Sequence, residues 1–456
     1  MQNKFLILIL SFLSFKTFAF DQVIKKETWK GIEVVWVKDV RLPIYDVVIY
    51  FADGALADNE QKGTTDMMLD LLTAGTKSSS EKELVDFLEF YGTSFGSSVN
   101  HEYSLFRYSG LSKDIIPTTK KICEMFHDGE YPDQVLNRYK QQLIDSKSNA
   151  INDPGEVATR IFREISLEGS PYAYPVDGKI NDIKKITGEM LKERLRYFNK
   201  SVKKRIYITG PSSILAIQDI FKNDCQWSGS SDYKREVKVA PPSSVGSGRV
   251  RPKIYLVKNN DANQGQIRIG RTLTKAQIQN PYLLDLTGEF LGGGFTSLLM
   301  QEVRTKRGLT YNIGASLSGQ KQYGRAVIST FSKSETVAKT LEVIHQTLDK
   351  VKNENFPSDA IERTKLQFAG SHPFGFESMS AFLGQLLYID HVERDYSEIY
   401  EFPKRVELIS QKELVHFSSE VWNWNELSIV VVGSEKLMPA LKEIGDVEII
   451  TAESYL

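Results

Sequence analysis

The feature that most constrains this chain is that it repeats itself. Val37-Lys38 closes a strand-like run, IEVVWVK, and Val257-Lys258 closes another, KIYLVK, 220 residues on. Ser112-Lys113 opens a helical stretch that breaks before Pro132, and Ser332-Lys333 opens one that breaks before Pro357, again 220 residues apart. The runs RIYITGP around Gly210 and LSIVVVGS around Gly433 are offset by 223. Three matches in one order at nearly one offset require a duplicated unit, each copy folding on the same plan. Within a copy, strand-like runs come before helices. Ser94–Val99 and Tyr103–Ser109 read as a hairpin, while Val337, Leu341, Ile344, Leu348 and Val351 trace one helix face. The fold class is therefore α+β: two duplicated domains, each an antiparallel-rich sheet packed with helices.

The segment Val239–Pro252, VAPPSSVGSGRVRP, is rich in Pro, Ser and Gly and reads as the connector. The expected division is residues 20–235, a linker at 236–252, and 253–456. Residues 1–19 stand apart. Lys4 precedes a mostly apolar run from Phe5 to Phe15, and Thr17 and Ala19 occupy the −3 and −1 places of a cleavage site. That pattern points to export, with a bacterial periplasm as the expected compartment. No run of 18 apolar residues occurs, so no membrane span is expected after cleavage of this segment. With 57 basic against 58 acidic residues, the chain lacks the surplus that nucleic-acid backbones demand. Only Cys123 and Cys225 are present. Cys123 sits in an apolar helical stretch as a small core residue would, and both are expected to be unpaired thiols.

Two stretches carry chemical information. Gly63–Thr76 reads GTTDMMLDLLTAGT, and Phe290–Gly314 reads FLGGGFTSLLMQEVRTKRGLTYNIG. With the duplication, and with PYAYPVDGKINDIKKIT at Pro171–Thr187, they resemble the pitrilysin/insulinase family of zinc peptidases, which includes the mitochondrial processing peptidase subunits. Active members carry H-x-x-E-H on a helix. Residues four apart share a face there, so both histidines reach one zinc while the glutamate polarises its water. In this chain Gly63 and Gly75-Thr76 keep the frame, but Asp66 and Asp70 hold the histidine places and Leu69 the glutamate place. Ser146 falls where the distal glutamate ligand is expected. The six histidines, at 101, 127, 345, 372, 391 and 416, include no pair three to five residues apart. A local zinc pair is therefore missing. Asp66 and Asp70 offer oxygen to a hard cation, but such sites usually gather six or more oxygens. No metal is assigned to the chain itself.

The later stretch keeps its pattern. Asn280-Pro281 starts a helix closing at Gly292, Thr296 or Ser297 can cap the next, and Gly308 ends that one after Arg307. Tyr311 is then expected to open a strand. The resemblance implies that Arg307 and Tyr311 reach a zinc site in the other half or another subunit, contacting substrate carbonyl and developing oxyanion. It further implies a non-catalytic subunit of an exported heterodimeric peptidase. Its partner would be a homologous chain carrying H-x-x-E-H and the zinc, and its substrates would be unfolded peptides. A peptidase-fold scaffold without such a partner is the alternative; a lone metallopeptidase with a divergent metal site is the weaker one.

Overall fold

A computed structural model describes residues 24–227, 229, 248–260 and 262–455. The expected export segment, residues 1–19, and most of the expected connector lie outside them. Among the described residues, twelve strands form two sheets of six. The first contains β1 (Ile24–Trp29), β2 (Ile32–Lys38), β3 (Ile44–Phe51), β4 (Ser94–Val99), β5 (Ser104–Leu111) and β6 (Lys204–Gly210), in the order β1-β2-β6-β3-β5-β4. The second contains β7 (Lys253–Lys258), β8 (Gln264–Leu273), β9 (Ile313–Gly319), β10 (Gly324–Lys333), β11 (Ser428–Gly433) and β12 (Asp446–Ile450), in the order β12-β7-β11-β8-β10-β9.

The duplication extends to the register. Lys38 pairs with Gly210 across the parallel β2/β6 ladder, and Lys258 pairs with Gly433 across β7/β11. The residues that mark the repeat in sequence are thus hydrogen-bonding neighbours in both sheets. The remaining ladders are antiparallel, except that β12 runs parallel to β7 where β1 runs antiparallel to β2. The outermost strand is the place where the copies differ. β4 and β9, both formed as hairpins with their neighbours, are the opposite edges.

One face of each sheet packs on helices of its own half, giving two cores built around Phe51, Phe126 and Trp227 in one and Leu256, Phe290 and Trp422 in the other. The second faces are covered by exchange. The helix Pro154–Ser166 starts at a Pro, with Asp153 accepting from Gly155 and Glu156 N–H groups at 2.8 and 3.1 Å. Its buried residues Val157, Ile161, Phe162 and Ile165 lie on Tyr255, Val257, Val430 and Val432 of the second sheet. In return the helix Met379–His391, capped by Ser378, lays Phe382, Leu383, Leu386 and Leu387 on Val35, Val37, Val48 and Tyr207 of the first. Polar contacts pin both ends of the exchange. Arg268 of β8 donates to the Gly155 carbonyl at 3.1 Å, and Tyr207 of β6 donates to Asp390 at 2.9 Å. His391 bonds Tyr50 at 3.1 Å and Glu102 at 2.9 Å.

One expectation is overturned. Cys123 and Cys225 form a disulfide, with Cα atoms 4.4 Å apart and a sequence separation of 102. Cys123 projects from the helix Ile115–Asp128, and the chain after the helix Gln218–Asn223 returns to pack beside it. Sequence spacing carries no trace of that return.

Two outcomes are expected. A protease site engineered into the 236–247 segment and cut should give two pieces that elute as one species under native conditions and separate only in denaturant. Elution as two independent pieces would contradict the exchange. Replacing both cysteines by alanine should lower unfolding free energy by about 2–5 kcal/mol in urea titrations, because the bridge closes a long loop in the unfolded chain.

Candidate functional site

The helix Thr64–Asp70 begins at Gly63, whose φ of +83° is a left-handed conformation that favours glycine. A Cβ there would also stand 2.8 Å from the Asp177 carbonyl oxygen. Met67, Met68 and Leu69 face the core, and Leu69 is 2% exposed. Asp70 ends the helix, where the dipole disfavours negative charge. Two hydroxyls hold it: Ser97 of β4, and Tyr139 of the helix Asp133–Ala150 at 2.6 Å. Asp66 is half-buried. Burial, with the negative charges of Asp70, Asp177 and Asp58, pushes its carboxyl up to about 7 against the pull of the Lys147 ammonium.

Lys147 is the residue that sequence reasoning missed. Ser146 is exposed, whereas Lys147, one position on, is 2% exposed and ion-paired with Asp177. A buried ammonium therefore lies within electrostatic reach of Asp66. Zinc needs three or four deprotonated N, S or O ligands. This chain offers a buried leucine, an outward serine, an aspartate pinned by two hydroxyls and another that holds its proton to near neutrality. That donor set does not fit zinc. Among the described residues, no group of three or more His, Cys, Asp or Glu side chains is placed to hold a metal.

In the second half, Asn280 caps the helix Pro281–Gly292 through the Leu283 N–H at 3.1 Å, as the sequence predicts. Gly292 lies so close to β9 that a Cβ would stand 2.1 Å from the Ala315 nitrogen. The following helix contains a wide π turn over Met300–Thr305. Neither expected cap forms: Ser297 donates to the Gly294 carbonyl at 2.6 Å, and Thr296 to Gln367 at 3.1 Å. Gly308, at φ +60°, ends the helix, its N–H bonding the Arg304 carbonyl at 2.8 Å. Tyr311 does not open the strand. It lies two residues before β9 and is 75% exposed.

The two arginines of this helix have different surroundings. Arg307 donates to the Glu302 carbonyl at 2.7 Å and to the Glu302 carboxylate at 2.8 Å. Burial alone would raise the Glu302 pKa, but hydrogen bonds from Lys306, Arg307 and Lys350 hold it at about 2. Arg304 has no carboxylate within ion-pair distance among the described residues. Its guanidinium lies 4.9 Å from the Tyr311 ring centre and 5.2 Å from that of Phe295, itself 72% exposed. The arginine brought to Tyr311 is thus Arg304 rather than Arg307. The signal was in the sequence: Glu302 is a local acidic partner for Lys306 and Arg307 and leaves Arg304 without one. No hydrogen bond or ion pair among the described residues joins these side chains to Asp66 or Asp70.

Residues 221–368 match the family model described as the peptidase M16 inactive domain. A structure titled as the peptidase M16 inactive domain from Pseudomonas fluorescens superposes with a TM-score of 0.79 at 20% identity, covering 90% of this chain and 98% of that one. The fold is that of this M16 inactive-domain structure, and residues 221–368 are similar to that domain in sequence. Two relatives carry the names of a non-peptidase and of a probable inactive protein. The "non-peptidase homolog YmxG" of Helicobacter pylori is 19% identical over 89% of this chain and 92% of its own length. The "probable inactive metalloprotease YmfF" of Bacillus subtilis is 24% identical over 51% of each chain. Another relative, the "uncharacterized zinc protease YmxG" of Bacillus subtilis, is 19% identical over 79% of this chain and 86% of its own. The present chain is an M16-fold protein without the peptidase's zinc-binding motif.

The raised Asp66 carboxyl gives a testable sign. The folded state binds that proton more tightly than the unfolded state does, so stability falls as pH rises from about 4 to about 7 and stays lower above. Asp66→Asn should therefore stabilise the chain by about 1–3 kcal/mol at pH 8 and leave it unchanged near pH 4. Denaturant titrations of both proteins at the two pH values check this, and a gain of equal size at both would contradict it.

Proposed function

We propose that this chain is the non-catalytic subunit of an exported heterodimeric zinc peptidase, holding unfolded peptide and completing a partner's active site in trans. The observation that carries the reading is the Arg304–Tyr311 pair: an exposed phenol beside a guanidinium stacked on its ring and on Phe295, with neither group tied to an internal acid. A permanent cation and a phenol O–H held together suit a substrate carbonyl and the negative charge that grows on it. They adjoin β9, an edge strand, and the corresponding edge of the first sheet is the Ser/Gly-rich β4, SFGSSV. Edge strands present unpaired backbone groups on which an extended peptide adds as a further strand.

The remaining parts of the reading have separate supports. The donor set around Asp66 does not suit zinc, so the metal and an H-x-x-E-H helix belong to the partner. The N-terminal sequence pattern favours export, and the Cys123–Cys225 bridge favours an oxidising compartment. The two relatives described as a non-peptidase homolog and a probable inactive metalloprotease agree with a non-catalytic role.

The test mixes variants of this chain with the zinc-bearing partner and follows peptide cleavage alongside complex formation. Tyr311→Phe should lower kcat by about 10²-fold, as loss of one oxyanion donor does. Arg304→Ala should reduce turnover and weaken peptide binding, with Arg304→Lys rescuing part of both. Arg307→Ala should leave turnover near the starting value, because its guanidinium is committed to Glu302. Full activity from the Arg304→Ala/Tyr311→Phe double variant in an intact complex would overturn the role in trans and leave the scaffold reading in its place.

A further inference from the structure

The second half contains a cavity of about 410 Å³ that the groups above do not use. It opens between the start of the helix Pro281–Gly292, the β9–β10 turn and the three helices Ala360–Ser371, Met379–His391 and Ser397–Glu407. Its size falls in the range of small-ligand sites. One wall is an aromatic stack. Phe402 lies 5.8 Å from Tyr282 and 4.9 Å from Phe368, and the His372 ring lies flat on it at 3.9 Å.

Most charged or polar groups on the lining are committed. Arg394 pairs with Glu398 at 3.0 Å, Lys321 with Glu393 at 2.5 Å, and His372 Nε2 bonds the Ile399 carbonyl at 2.8 Å. Lys275 is exposed and acts on Glu393. Asp285 differs. Its side chain is open to the water of the recess, yet it has no hydrogen bond or ion pair among the described residues. Confinement by the surrounding protein pushes its carboxyl up to about 7, with Arg394 opposing from a distance. A carboxylate held in an aromatic recess without a counter-ion is best matched by a positive group that brings its own apolar cover.

We propose that this cavity binds an organic cation on an apolar stem, its ammonium or guanidinium on the Asp285 carboxylate and its stem against Tyr282 and Phe402. The proposal stands whether or not the chain acts with a peptidase. A basic side chain within a peptide and a free amine present the same chemistry, and the ligands of the test separate them. Calorimetric titration of the full chain would use 4-phenylbutylamine and agmatine as free cations, N-acetyl-arginine methylamide as a blocked basic residue, and N-acetyl-norleucine methylamide as a neutral control. The cations should bind, with the neutral control roughly tenfold weaker or worse. Asp285→Asn should cost the cations roughly tenfold without lowering the unfolding midpoint of the chain. Tyr282→Ala should weaken them as well. Binding of the blocked arginine identifies a peptide side chain as the natural occupant; binding of the free amines alone identifies a small amine. Equal binding of charged and neutral ligands, undiminished binding by Asp285→Asn, or no binding of any cation at millimolar concentration would overturn the proposal.

Discussion

The structure depends on the mutual burial of two sheets by two borrowed helices. Each sheet has two apolar faces, and its own half supplies enough helix to cover one. Val35, Val37, Val48 and Tyr207 on one sheet, and Tyr255, Val257, Val430 and Val432 on the other, would otherwise face water. At about 25 cal/mol per Å² of apolar surface, leaving either face bare would cost several kcal/mol, comparable to the whole stability of an ordinary domain. The exchange makes the two halves one cooperative body although the sequence divides into two copies. It also fixes the positions of edge strands β4 and β9, because each hairpin belongs to a sheet anchored from both sides.

Around that frame, the helix Thr64–Asp70 serves as a structural element. Leu69 joins Met67 and Met68 in the core, Asp70 ties the helix end to Ser97 and Tyr139, and Lys147 supplies a positive charge near Asp66. The negative charge of Asp66 is thus opposed by an ammonium from the same chain. The C-terminal half retains exposed chemistry at the corresponding edge, where Arg304 lies between Phe295 and Tyr311. The asymmetry between the copies is one of committed and uncommitted side chains on a common fold.

Much of this was legible in the sequence, for physical reasons. The duplication showed in strand ends because Lys38 and Gly210, like Lys258 and Gly433, close paired strands, where side-chain type is constrained by register. The Asn280 cap and the Gly308 terminus showed because helix ends use few residue types. The disulfide did not show, since bringing Cys123 to Cys225 depends on how the whole chain between them packs. The exchanged helices did not show either: an amphipathic pattern states that a face is buried, not in which half. Arg307 stands at a helix-ending position, which is easy to recognise, whereas its commitment to Glu302 shows only once that carboxylate is buried beside it. Lys147 was hidden for a related reason. A lysine in a polar helix reads as solvated until the fold buries it and brings Asp177 beside it.

The exchange also orders events in time. Strands β1 to β6 are complete once residue 210 has been synthesised, yet the helix that covers their outer face ends at His391. The emerging first half must therefore wait with Val35, Val37, Val48 and Tyr207 uncovered while about 180 further residues are made, and folding of either half is finished only by the other. A chain of this kind is exposed to aggregation on the ribosome and during any transport step, in proportion to that delay.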